Sequence, residues 1–89
     1  MLKLFFLYIF LIIFSLPVSA ENSFIAKIES LAERGFADAQ YNLARMYANG
    51  ESVDQDFISA EFWFRKSAEQ GNIDAQYRLG RMYDSGLGV

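Results

Sequence analysis

The chain has no cysteine and no histidine. That excludes disulfide bonds, thiol chemistry, zinc sites built on either residue, and hydrolytic triads with an imidazole base. Positive charge is also scarce. The net charge is -3, and the basic footprint of a nucleic-acid-binding surface is missing. The single proline is Pro17. A long apolar run occurs once, at the N-terminus, and it inflates the hydrophobic fraction of 53%. With 89 residues there is room for one small domain.

Residues 1–20 read MLKLFFLYIFLIIFSLPVSA. Lys3 is a short positive start, 4–14 is an unbroken apolar run, and Pro17 ends any helix. Val18-Ser19-Ala20 then puts small side chains where a signal peptidase reads. This is the anatomy of a secretory signal peptide cleaved after Ala20, and it predicts a secreted or periplasmic chain. The alternative is an uncleaved membrane anchor, but spanning takes about 20 apolar residues and this run is shorter. No cysteine follows the run, which argues against a lipoprotein anchor.

What is present is a repeat. The stretch 31–47, LAERGFADAQYNLARMY, returns 36 residues later as SAEQGNIDAQYRLGRMY at 67–83. Such a period means one supersecondary unit used twice and stacked on its copy. Helical apolar spacing with polar caps and glycine stops predicts four helices. The first covers 24–34, capped by Asn22-Ser23 and stopped by Gly35. The second covers 36–48 and ends at Asn49-Gly50. The third covers 56–70, capped by Asp54 or Asp56 and stopped by Gly71. The fourth covers 73–84, capped by Asn72. The division predicted is therefore a leader at 1–20, a degenerate half repeat at 21–35, a full repeat at 36–71 and an incomplete one at 72–89. By the period, the first helix takes the place of the second helix of a preceding unit, with Lys27 where Trp63 later stands.

These residues resemble the Sel-1-like repeat family, a branch of the tetratricopeptide-type helical hairpin repeats. The first copy carries the pattern at Ala32, Glu33, Gly35, Ala39, Gln40, Leu43, Tyr47, Gly50, Val53, Asp56, Ala60, Trp63, Phe64, Lys66 and Ala68. The second carries it at Gly71, Ala75, Gln76, Leu79, Gly80, Tyr83, Gly86, Gly88 and Val89. Departures are Ala44 and Ser52 for glycine, Ser67 for alanine, and Phe36 where the second copy has Asn72. The first three are small replacements that the repeat should tolerate, and Phe36 is expected at the end of the stack. The resemblance implies an all-α fold: antiparallel helical hairpins in a short right-handed solenoid, about one and a half repeats long. It implies adaptor or scaffold work between proteins, with no cofactor, no metal and no catalytic residues. Secreted relatives with disulfide-bonded repeats have been described as binding or hydrolysing β-lactam-type ligands, but this chain lacks their cysteines. Because each repeat buries its apolar face against a neighbour, about three are needed for independent stability. Leu79, Met82 and Tyr83 are therefore expected to be partly uncovered. That leaves self-association through this open end, or a truncated fragment of a longer repeat protein without independent function, as further readings.

Six residues are candidates for partner contact. Asn42 and Arg45 on the second helix, with Asp38, match Arg78 and Arg81 on the fourth, with Asp74. Successive first helices line one face of such a solenoid, and the arginines suit carboxylates of an extended peptide or acidic partner. The plainer reading is a solvated face on which Asp74 pairs with Arg78. Ile58 and Phe62 fall on the side of the third helix away from Phe57, Ala60 and Phe64. Left exposed, they would mark a contact site; the favoured reading packs them on the helix at 24–34. Tyr41, Tyr47, Phe57, Trp63, Phe64, Tyr77 and Tyr83 are expected to be core aromatics rather than a ligand cage. Glu33, Glu69 and Asp56 are read as caps and local pairs, not acid–base catalysts. The turns at 50–53 and 86–89 lack the strand and Lys-Ser/Thr pair of a phosphate loop.

Overall fold

The computed structural model describes residues 20–89, and the leader and its cleavage site lie outside or at the edge of the described residues. Four helices follow in order: α1 (Ala20–Glu33), α2 (Ala37–Asn49), α3 (Phe57–Glu69) and α4 (Ile73–Ser85). The fold is all-α, a helical-repeat stack in which α1 packs on α2, α2 on α3 and α3 on α4.

Caps explain most boundaries. Asp56, rather than Asp54, starts α3: its carboxylate accepts from Ile58 N at 3.0 Å, Ser59 N at 3.1 Å and the Ser59 hydroxyl at 2.7 Å. These bonds to the charged form, the Ser59 hydroxyl first, hold Asp56 below the ordinary carboxylate range. Asn72 starts α4 by accepting from Ala75 N at 2.9 Å. Asn22 and Ser23, expected to cap the first helix, instead lie inside α1, which already runs from Ala20. Phe36 precedes α2 without a side-chain cap bond. It stands exposed at 52%, with the Arg34 guanidinium 5.5 Å from its ring centre.

All four helices close alike. Phe36 N reaches Leu31 O, Glu51 N reaches Met46 O, Asn72 N reaches Ser67 O and Leu87 N reaches Met82 O, at 3.0–3.2 Å. The glycine before each donor has positive φ, the arrangement of a Schellman closure. It turns the chain back at once, so neighbouring helices run antiparallel. At one end of the α2–α3 hairpin Asp56 N donates to Tyr47 O at 2.9 Å. At the other, the Ser67 hydroxyl donates to Ala37 O at 2.7 Å.

Small residues bring the helices close. Ala44 and Ala60 are fully buried, and with Phe64, Ala75 and Met82 they form the main core cluster. Ala32, Ala39 and Leu43 form a second cluster between α1 and α2. Tyr47 and Trp63 pack against both. Tyr41, Tyr47, Phe57, Trp63 and Phe64 belong to this interior, but Tyr77 and Tyr83 do not: they are 63% and 52% exposed. Among the described residues no helix covers the outer side of α4. Met82, by contrast, was expected to be partly uncovered and is buried. The terminal turn folds over it: Gly88, at φ 73, comes so near the Phe57 carbonyl that a Cβ would collide with it and would sit 3.2 Å from Met82 Cε.

Candidate interaction groove

The repeat places Arg45 near the end of α2 and Arg78 and Arg81 on α4, and α3 sits between the two helices. A groove of about 510 Å³ results. Phe57, Phe64, Met82 and Leu87 supply apolar lining, and Arg45, Arg78 and Arg81 supply the charge; no carboxylate lines it. The apolar lining thus comes from α3, the second helix of the unit (Phe57, Phe64), from α4 (Met82) and from the terminal turn (Leu87), and the two copies of the unit's first helix furnish the charged walls.

Each wall repeats one pairing. The Arg45 guanidinium lies 5.8 Å from the Tyr41 ring centre, and that of Arg81 lies 6.0 Å from Tyr77. Both are at cation–π range, one turn apart on their helix. Arg81 Nη1 also donates to the Tyr77 hydroxyl at 3.3 Å. That bond lowers the Tyr77 phenol from its ordinary value and raises the Arg81 guanidinium. Stacking on a ring leaves a guanidinium edge free for a carboxylate. Among the described residues, none of the three arginines forms an ion pair, and the expected Asp74–Arg78 pair is not made. Arg45 Nε is buried and has no hydrogen-bond partner. A buried donor left unpaired is costly.

The other expected contact residues are not gathered here. Asn42 is exposed and outside the groove lining. Asp38 accepts from Asn72 Nδ2 at 3.3 Å, a bond across the repeat seam. Ile58 and Phe62 are 74% and 45% exposed, so neither is packed away on α1. The physical reason is that Trp63 takes the α1 side of α3, against the Ala32–Ala39–Leu43 cluster. Phe62 instead meets Trp63 edge-on at 5.0 Å and lies under Lys66 Nζ.

The burial of Glu61 and two sets of glutamine bonds escaped the sequence reading, although the i, i+4 row Glu61, Arg65, Glu69 predicts the Glu61–Arg65 pair that is found. Glu61 is buried on α3, where it accepts from Arg65 Nε at 2.9 Å and from the Tyr83 hydroxyl at 3.1 Å. Its i, i+4 spacing to Arg65 was the visible signal; its inward position was not. Gln40 donates to Ala32 O at 3.1 Å and accepts from Gln70 Nε2 at 2.7 Å, and Gln76 repeats the first bond to Ala68 O. Gln55 Nε2 donates to Ala48 O at 2.9 Å. Among the described residues no group of three or more acidic side chains could hold a metal ion. No described helix is long and apolar enough to cross a membrane.

Comparisons with known proteins agree with this geometry. The family model described as Sel1 repeat matches residues 37–72 and again 73–89. Among solved structures, the chain is similar to the crystal structure of a Sel1 repeat protein from Oxalobacter formigenes, with a TM-score of 0.69 and 40% identity. That match covers 70% of this chain and 47% of the other, so the chain spans about half the length of that relative. No curated protein matches it.

Proposed function

The chain belongs to the Sel1 repeat family, whose members generally mediate protein–protein interaction, and from that premise we propose that its groove holds an acidic, extended segment of a protein partner. Arg45, Arg78 and Arg81 bind carboxylates, and the apolar lining takes a side chain between them. The module acts by presenting a rigid surface and is non-catalytic. It works outside the cytoplasm, a reading supported by the leader at 1–20. The observation that carries the proposal is three arginines lining one groove with no carboxylate in its lining.

The test is fluorescence anisotropy with a labelled glutamate–leucine alternating peptide and its glutamine counterpart. The acidic peptide should bind, and rising salt should weaken it. A hydrogen bond to a charged group contributes about 1.5–3 kcal/mol. Arg78→Ala or Arg81→Ala should therefore weaken binding roughly tenfold or more. Equal binding of the two peptides, or binding indifferent to both substitutions, would refute the assignment.

A further inference from the structure

The turn that closes α2 carries a reactive pair. Asn49 is the last residue of α2, and Gly50 follows it with φ 67. A side chain on residue 50 is strained, since its Cβ would lie 3.2 Å from Gln55 Cβ on a left-handed backbone. The turn thus demands the glycine. It does not demand the asparagine: Ser85 precedes Gly86 at the same register, and α4 closes in the same way. What the asparagine adds is chemistry. Its amide carbon and the next backbone nitrogen can close a five-membered ring, and before glycine no Cβ shields that nitrogen. Asn49 is exposed, and one long hydrogen bond ties its Nδ2 to Glu51 Oε1 at 3.3 Å. It also lines the groove, at the i+4 position from Arg45 on the same helix face.

We propose that Asn49-Gly50 is a self-modification site that turns an amide in the groove into a carboxylate and thereby withdraws Arg45 from acidic partners. The Gly50 nitrogen gives up its proton and attacks Asn49 Cγ. The Cγ–Nδ2 bond breaks, and the amide nitrogen leaves as ammonia with that proton. Water then opens the cyclic imide: its hydroxyl joins one carbonyl carbon and its other proton returns to the ring nitrogen. Opening at Cγ leaves aspartate in place of asparagine. Opening at the Asn49 carbonyl carbon reroutes the backbone through Cγ and frees an α-carboxylate. No carbon changes oxidation state, and water is the sole co-reactant. The fold sets the pace. Gly50 N–H donates to Met46 O, as Glu51 N–H does at 3.0 Å, so the nitrogen attacks only when this closure frays. Either product puts a negative charge one turn from Arg45, which forms no ion pair among the described residues. It also puts a carboxylate into a lining that has none, where it repels those of a ligand. The conversion stands on its own geometry; the loss of binding rests on the acidic-segment reading above.

The test ages the full chain in mildly alkaline buffer and maps its tryptic peptides by mass spectrometry. Peptide 46–65 holds no asparagine but Asn49, and fragment ions separate a mass gain there from one at Gln55. Asn49 should convert faster than Asn42 and Asn72, giving two products of equal mass that part on the column. Asn49→Ser should show no gain at that position. Binding is followed in parallel by anisotropy with the labelled acidic peptide. Asn49→Asp should bind it roughly tenfold or more weakly than Asn49→Ser, the scale of one lost charged hydrogen bond. Wild type should lose affinity with age, and Asn49→Ser should not. An Asn49 that converts no faster than Asn42 or Asn72 would overturn the site. Equal, measurable affinities of Asn49→Asp and Asn49→Ser would overturn the switch. If fresh wild type and Asn49→Ser both ignore the acidic peptide, the groove reading fails and the switch with it, while the mass map still decides the site.

Discussion

At the scale of single residues, the side chains that decide most are polar ones answering backbone groups at helix ends. Gln40 and Gln76 show the same solution in both copies: each reaches eight residues back to a carbonyl in the last turn of the preceding helix. Each of those carbonyls also accepts from the N–H of the closing glycine, Gly35 at 3.0 Å and Gly71 at 2.9 Å, so the glutamine adds a second bond that ties the next helix to this closure. Asp56 does the converse at a helix start, and its charge makes it sensitive to pH. Its carboxyl titrates below the ordinary range in the folded chain. The cap therefore contributes fully above the unfolded value of the group, and the contribution disappears as pH falls through the lowered folded value. Asp56→Asn keeps an acceptor for Ser59 N but cannot titrate. Thermal melts followed across the acid range should show a smaller fall in Tm for Asp56→Asn than for the wild type. Equal slopes would place the acid sensitivity elsewhere.

At the scale of elements, the helices were largely legible because their signals are local. Asn72 as a cap, and Gly35, Gly50 and Gly71 as stops, need no tertiary information, whereas the sequence leaves the choice of Asp56 over Asp54 open. Asn22-Ser23 misled because a capping residue is also tolerated inside a helix that starts earlier. The exposure of Ile58 and Phe62 was not legible, since a helical wheel does not say which neighbour Trp63 will face. Nor was the cover over Met82, because it depends on a terminal turn rather than a periodic element. That turn gives a prediction. Gly88 sits against the Phe57 carbonyl with positive φ, and an added Cβ would lie 2.8 Å from the Phe57 carbonyl carbon. Backbone at that distance cannot yield as a flexible side chain would. Gly88→Ala should therefore lift the turn off α3. Hydrogen exchange of the Leu87 amide, bonded to Met82 O, should accelerate by roughly tenfold or more, given at least 1–2 kcal/mol of local strain. The Glu51 amide, in the matching closure of α2, should not change. If both amides respond equally, the substitution has loosened the whole chain instead.

At the scale of the whole molecule, the two core clusters are joined by side chains they share. Trp63 and Tyr47 touch both, so α1 and α4 are coupled through α3 and α2 even though they occupy opposite ends of the stack. A quasi-linear stack keeps its cooperativity only while such nearest-neighbour contacts outweigh local opening. Trp63 is the single tryptophan, and its emission reports the junction itself. Urea unfolding followed by Trp63 fluorescence should coincide with the loss of helical circular dichroism in the wild type. Trp63→Leu keeps an apolar side chain but shortens its reach. In that variant the helical signal should fall over a broader range, with a smaller slope against denaturant. A transition as sharp as the wild type's would show that the small residues alone bind the clusters together. The groove was legible in part at this scale. The spacing put Arg45, Arg78 and Arg81 on one side, but the apolar lining from Phe57 and Leu87 and the lack of carboxylates depend on packing.

The loop between α2 and α3 has one more consequence. Glu51 N and Asp56 N return to carbonyls of the last turn of α2, and the Gln55 side chain holds a third. A protease must draw several residues of extended chain into its cleft before it can cut. Here that chain is anchored at both ends, and drawing it out means melting the end of α2 and the start of α3 together. Digestion of the folded molecule is thus governed by the stability of the hairpin, not by the accessibility of its loop, and a solvent-exposed turn becomes as durable as the helices it joins.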